Sequence, residues 1–263
     1  MKVLITGAAG NLGQKLTRHL LADGRYQLTL LDRRADDTGQ ILTAELAAYD
    51  PAWVRYFHGQ NVIVHLAADA DVHATWQSLQ ANNVDALLNV FRAAVENRVD
   101  RVVFASSVRA FQGYMDSRTV IRHDRFPSPV ELYAATKVFG ERLGKSLADQ
   151  YGMSVICLRI GAVWLGDNSP KGKRHDLRRQ WLSTRDFCQA VEKAIWVSEI
   201  GFAALFVTSD NEDKPFDLSE TWRALGYEPQ DGVRATRRSL SERIRYLVKR
   251  QLRRLSRSVD TGH

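Results

Sequence analysis

Lys2-Val3-Leu4-Ile5-Thr6 runs directly into Gly7-Ala8-Ala9-Gly10-Asn11-Leu12-Gly13, and from Asn11 to Ala22 apolar residues then recur with the period of a helix. An apolar strand, three glycines spaced by three and a helix opening on the last of them restrict the fold sharply. Glycine at these positions permits a tight turn, close approach of the backbone to a pyrophosphate, and close packing of helix on strand. The helix N-terminus then turns free N–H groups and a positive dipole toward the phosphates. The junction predicts a dinucleotide site built by Gly7, Gly10, Asn11, Leu12 and Gly13.

The rest of the chain repeats that grammar. Further strands are read at 26–32, 61–68, 101–106, 154–160 and 202–207, and a helix from about Trp76 to Asn97. The run 61–68 is continuously apolar rather than alternating, as in a strand buried on both faces. Strands alternating with helices predict an α/β fold, a Rossmann-type doubly wound parallel sheet. Asp32 ends the second strand, 19 residues after Gly13. A carboxylate there accepts hydrogen bonds from the adenosine ribose hydroxyls and repels a 2′-phosphate, so NAD is favoured over NADP. Arg33 and Arg34 follow at once. They either attract a 2′-phosphate, stack on adenine or are solvated loop charge.

Tyr133 and Lys137 are four apart and share one helix face. A phenol titrates near 10 and is a poor base at neutral pH, but a neighbouring ammonium stabilises its phenolate. Together the two form a general acid/base for an alcohol proton. Ser128-Pro129-Val130-Glu131 predicts the start of their helix, with Ser128 as cap and proline in the first turn. The strand RVVFAS ends in Ser106 and Ser107. Ligands bind at the carboxyl ends of such strands, and a serine hydroxyl there can donate to the substrate oxygen. Successive side chains alternate, so only one of the two faces the site.

Taken together, these features resemble the short-chain dehydrogenase/reductase superfamily. The glycine spacing, HLAA at 65–68, and Asn83-Val84 with Asn89 and Ala93-Ala94 resemble its extended, epimerase/dehydratase branch. DLRRQWLSTRDF (176–187), VTSDNEDKPFDLSETWRALGYEPQDG (207–232), LLDR (30–33) and TWQSLQANNVD (75–85) are similar to compact NAD-dependent sugar dehydrogenases of that branch, the uronate dehydrogenases and the archaeal-type glucose-6-phosphate dehydrogenases. The likeness implies NAD across the strand ends, a sugar-type substrate, and oxidation of its anomeric hydroxyl to a lactone. It implies Ser107, Tyr133 and Lys137 as the catalytic set. For the cofactor it adds Arg33, Glu45 and Leu46 near the adenosine, Leu66, Ala67, Ala68 and Ile160 along the strand ends, and Asn83 behind the wall. At the substrate positions the sequence departs from its relatives. Val108 and Arg109 stand where Asn and His follow the serine pair, Ala162 where a small polar residue follows RIG, and Ala70 where Ser or a Pro/Arg pair is usual. Arg178 or Arg179 falls near a carboxylate-binding arginine of the uronate enzymes. An arginine at 109 can bind a carboxylate or phosphate bidentately. A sugar-nucleotide epimerase or dehydratase with tightly held NAD, or a non-catalytic NAD sensor, is the alternative. The first is disfavoured because fewer than half of the 263 residues follow Lys137.

Charge is unevenly placed. The net charge is +7, yet ten basic residues and only two acids, Glu242 and Asp260, fall from Val233 onward, so the remainder is close to neutral. The expected organisation is a nucleotide-binding domain over 1–232, with a small substrate-binding part embedded at about 162–183 and 208–232. A basic C-terminal helix follows over 233–263. Leu240, Ile244, Leu247, Val248, Leu252, Leu255 and Val259 form its apolar stripe. That helix is expected to pack on the domain or on a second subunit of a homo-oligomer, with an anionic membrane surface as the second reading. Nucleic acid is disfavoured, since the tail carries one aromatic, Tyr246, and no known motif. Cys157 and Cys188 lie in apolar runs and read as reduced core residues of a cytoplasmic protein. The apolar opening is too short for a secretory signal, no run approaches the roughly 18 residues of a membrane span, and no metal-ligand spacing occurs among the histidines.

Overall fold

The expected strands form and gain one. β1 (Lys2–Thr6), β2 (Gln27–Asp32), β3 (Ile41–Thr43), β4 (Val62–His65), β5 (Arg101–Ser107), β6 (Ser154–Ile160) and β7 (Phe202–Val207) make a parallel sheet in the order β3-β2-β1-β4-β5-β6-β7. This computed structural model describes residues 1–37, 39–115, 119–166 and 175–234, and Met1–Val233 is one compact unit. The helices are α1 (Asn11–Asp23), α2 (Pro51–Val54), α3 (Trp76–Leu79), α4 (Ala86–Glu96), α5 (Leu132–Tyr151), α6 (His175–Arg179), α7 (Thr184–Trp196) and α8 (Ser219–Leu225). From β1 the chain builds outward through β2 and β3, then returns to the other side of β1 as β4. That reversal opens a crevice at the carboxyl ends of β1 and β4, where this sheet type takes its ligands.

Alternate side chains enter two cores. Val3, Ile5, Val62, Val64, Val103, Ile156 and Leu158 pack with Leu16 and Leu20 of α1 and with Phe187 and Val191 of α7. Leu4, Ile63, Val102, Phe104, Val155 and Cys157 pack on the opposite face with Leu87, Val90 and Phe91 of α4 and Ala148 of α5. Burial on both faces explains the continuous apolar strands. Both cysteines are buried, and neither is in a disulfide.

Two glycines set how α5 lies. A Cβ on Gly140 would sit 2.6 Å from the Phe104 ring, and one on Gly144 would sit 2.8 Å from Val155 Cγ1. The helix therefore rests directly on β5 and β6, and the same stripe carries Lys137 and Tyr133 one and two turns earlier.

Three expectations need correcting. β3 was not anticipated. The single helix expected over 76–97 is instead α3, a π-helical turn over Gln80–Asp85, and α4. Ser128 does not cap α5. Its N–H donates to the Ala110 carbonyl and its carbonyl accepts from Gly113 N–H, so the segment stays extended and the cap position falls to Glu131. The stretch 208–232 is stitched down by the buried Asp186 carboxylate, which accepts from Ser209 Oγ and from the N–H groups of Gln230 and Asp231. Among the described residues no helix is long and apolar enough to cross a membrane, and no cluster of side chains could hold a metal ion. The expected basic tail helix lies outside the described residues.

Candidate active site

The glycine loop has no room for a side chain at Gly7 or Gly13. Gly7 has φ of 73°, and a Cβ there would meet Ala67 N at 2.6 Å. A Cβ on Gly13 would lie 2.2 Å from the Gly7 carbonyl. Helix α1 starts from Gly10 with no side-chain cap and no acid in its first turn, which leaves its N-terminal dipole to an anion. Asp32 braces the loop: Ala9 N–H donates to Oδ2 and Arg34 N–H to Oδ1, each at 3.0 Å. The Arg34 side chain reaches back to the Ala9 carbonyl at 3.1 Å, and Arg33 reaches Asn82 Oδ1 at 3.4 Å. Because β3 pairs Asp32 with Thr43, Glu45 and Leu46 follow within two or three residues of the acid's neighbour. Leu46 is buried, and Glu45 accepts from Ala47 N–H. Leu66 and Ala67 lead out of β4 across the loop, their N–H groups donating to Thr6 O and Oγ1, and Ala68 follows them. Asn11 Nδ2 donates to the Val163 carbonyl at 3.2 Å, tying the loop to the segment after β6, whose last residue is the buried Ile160. An uncapped helix end, two glycines that a Cβ would displace and a carboxylate at the second strand tip fit a dinucleotide.

Tyr133 and Lys137 stand together at the start of α5. Lys137 is buried, with Nζ 5.5 Å from the Tyr133 ring centroid and 5.1 Å from that of Phe104. Burial lowers its ammonium to about 8. Burial pushes the Tyr133 phenol above its ordinary range, while a hydrogen bond from Ser107 and the Arg109 guanidinium pull it back and Asp69 raises it further. Below Lys137, His65 stacks on Phe104, shares a 2.7 Å hydrogen bond with Thr6 Oγ1, and is kept neutral by burial and by the lysine, its value lowered to about 3.

The two serines divide. Ser106 points into the core, where Oγ donates to Glu141 Oε1 at 2.6 Å. Arg159 grips the same carboxylate through Nε and Nη2 at 2.9 and 2.8 Å, and both charged side chains are almost wholly buried. Ser107 faces the other way, toward Tyr133, and its Oγ also accepts from Arg109 N–H. Asn83, on the π-helical turn, bonds both backbone groups of Asp69 and donates to Thr136 Oγ1, which donates in turn to the Tyr133 carbonyl. The extra residue of a π-turn re-aims one side chain. Here that side chain ties the loop after β4 to the turn bearing Tyr133.

The residues expected at the substrate are less uniform. Arg109 is brought to Tyr133, and its Nη1 donates to Glu131 Oε1 at 2.5 Å. Val108 is 3% exposed and packs with Phe111, Ile121, Phe206 and Phe216, which makes its side chain part of a satellite core rather than a wall open to ligand. Ala70 is exposed after β4, and Ala162 bridges to Trp181 beyond β6. Arg178 and Arg179 lie on α6, where Arg179 donates to the Asp213 carbonyl. Asp69, Glu131, Glu141 and Arg159 were not anticipated. Only Arg159 left a signal, a charge inside an apolar strand that demands a buried partner.

Comparison with known proteins identifies the family. Residues 3–183 match the NAD dependent epimerase/dehydratase family. The chain is 32% identical to L-arabinose 1-dehydrogenase (NAD(P)(+)) of Haloferax volcanii, over 88% of this chain and 96% of the relative. It is also 32% identical to the NAD-dependent glucose-6-phosphate dehydrogenase of that organism, over 87% and 93%. A mutant of uronate dehydrogenase from Agrobacterium tumefaciens, solved in complex with NAD, superposes with a TM-score of 0.75 at 27% identity, covering 88% of this chain and 85% of that one. The chain belongs to the NAD dependent epimerase/dehydratase family, the extended branch of the short-chain dehydrogenases/reductases.

Proposed function

We propose that this protein oxidises the anomeric hydroxyl of a sugar, sugar acid or sugar phosphate to the lactone, with NAD as acceptor. The observation that carries the reading is the meeting of Ser107, Tyr133 and the buried Lys137 at the carboxyl ends of the strands, on the same sheet edge as the glycine loop. Relatives named as arabinose, glucose-6-phosphate and uronate dehydrogenases support the sugar class.

In this reading the Gly7–Gly13 loop and the N-terminus of α1 hold the pyrophosphate. Asp32 takes the adenosine ribose, with Arg33, Glu45 and Leu46 around the adenine. Leu66, Ala67, Ala68, Asn83 and Ile160 line the strand ends, and Lys137 holds the nicotinamide ribose. NAD, when bound, supplies the hydride acceptor for the C1 hydrogen. Tyr133 Oη would take the proton of the C1 hydroxyl, Ser107 would donate to the same oxygen, and the Lys137 ammonium would stabilise the phenolate. Asn83 and Thr136 fix the turn that aims Tyr133. NAD is preferred to NADP because the nearly buried Asp32 carboxylate would face a 2′-phosphate. The substrate part is assigned to about 162–183 and 208–232, embedded in the nucleotide-binding domain of 1–232.

The test is an NAD-reduction screen over aldoses, uronates and sugar phosphates with analysis of the product. Free NADH and a lactone are expected. A changed sugar configuration with no net NADH would place the chain with the epimerases. For the basic tail we propose packing on a second subunit. Deleting residues 236–263 would then lower the molecular mass in solution, whereas deletion that removes salt-sensitive binding to anionic vesicles would assign the tail to a membrane surface.

A further inference from the structure

We infer that Arg109 and Glu131 together grip a sugar hydroxyl, and that this pair selects a neutral sugar over its carboxylate or phosphate derivative. The inference rests on the sugar-dehydrogenase reading of the same site. Arg109 follows Ser107 by two residues and Glu131 precedes Tyr133 by two, so the pair joins the two segments that carry the groups handling the C1 oxygen, and the Arg109 guanidinium acts on Tyr133. Taken alone, an arginine here suggests an anion receptor. The structure argues otherwise, because Arg109 Nη1 already donates to Glu131 Oε1 at 2.5 Å, with the two side chains 32% and 24% exposed. Its charge is largely balanced before any substrate arrives.

The second carboxylate oxygen carries the argument further. Glu131 Oε2 is buried and accepts no hydrogen bond. A buried acceptor left without a donor is costly, and the cost is recovered by a ligand that brings one. A hydroxyl can donate to Oε2 and accept from an N–H of the guanidinium fork at once. A carboxylate or an ionised phosphate has no proton to give Oε2 and meets a like charge. Asp69, acting on Tyr133 from the loop after β4, adds another negative group near the phenol, and Ser78 Oγ and Asp71 N–H hold its carboxylate in place. Lys137, a further cation among the described residues, is buried against the Phe104 and Tyr133 rings.

The experiment measures kcat and KM with NAD for two matched sets: glucose, glucuronate and glucose 6-phosphate, and galactose, galacturonate and galactose 6-phosphate. In the set the enzyme accepts, the neutral sugar is expected to exceed both anionic partners at least ~10-fold in kcat/KM, the scale of one charged hydrogen bond made or lost. Glu131→Gln keeps the shape but removes the charge and offers a donor of its own. It is expected to raise KM for the neutral sugar and to shrink the neutral-to-uronate ratio ~10-fold, with melting temperature and NADH affinity near wild type. A wild-type enzyme that prefers the uronate or the phosphate overturns the inference. So does a ratio unchanged by Glu131→Gln. Should the variant fail to fold, the wild-type ranking decides alone. If no sugar of either charge reduces NAD, the sugar-dehydrogenase reading itself falls.

Discussion

Lys137→Met should abolish turnover and make the free protein more stable. In the folded state Lys137 is buried, and its ammonium is lowered from 10.5 to about 8, with burial as the cause. A shift of this size corresponds to about 3 kcal/mol against the charged form, at ~1.4 kcal/mol per unit. The ammonium's contacts with the Phe104 and Tyr133 rings return about 1 kcal/mol of that. Methionine fills similar space without a charge, so the variant should gain about 2 kcal/mol at pH 7, or roughly 4–8 °C in Tm for a domain of this size. The sign follows from linkage. Below pH 8 the lysine is protonated in both states and the full cost is present. Between pH 8 and 10.5 the folded state releases its proton first, so wild-type stability rises with pH through that window. Urea unfolding of both proteins without cofactor at pH 7, 8, 9 and 10 should show the variant's advantage at pH 7 shrinking steadily toward pH 10. A variant less stable than wild type at pH 7, or an advantage flat across the series, would refute the reasoning.

Two further substitutions test what positions the site. Gly140→Ala places a methyl 2.6 Å from the Phe104 ring and 2.9 Å from Leu87 Cδ2, so α5 or these packed side chains must shift. Stability should fall ~1–3 kcal/mol by thermal melting, and kcat should fall more than ~10-fold while NADH still binds, because Tyr133 and Lys137 ride on the same helix. Glu141→Gln leaves the Arg159 guanidinium buried without its counter-charge, and ~3–5 kcal/mol of stability should be lost in chemical denaturation.

What the sequence disclosed follows physical rules that act locally. The glycine loop was legible because the positive φ of Gly7 and the contact of Gly13 with Gly7 and Ala8 belong to the strand–turn–helix junction itself. Tyr133 and Lys137 were legible because a spacing of four on a helix determines a shared face. The choice between Ser106 and Ser107 needed the sheet, since alternation says only that they differ. β3 was invisible because Ile41-Leu42-Thr43 is too short to show a period, yet its pairing with β2 is what brings Glu45 and Leu46 toward Asp32. Ser128-Pro129-Val130-Glu131 has the composition of a capping box. Backbone bonds to Ala110 and Gly113, from a distant segment, override it. The Arg109–Glu131 and Glu141–Arg159 pairs join residues 22 and 18 apart on different elements, a proximity that only the tertiary fold creates.

The central claim is that Tyr133 is the group that takes the C1 proton. Tyr133→Phe removes only the phenolic oxygen, so it separates chemistry from binding. With the best substrate from the NAD-reduction screen, single-turnover NADH formation should fall at least ~1,000-fold in the variant, at the upper part of the range for general base catalysis. NADH affinity by fluorescence titration should stay within about two-fold of wild type. Turnover that survives the substitution would contradict the account.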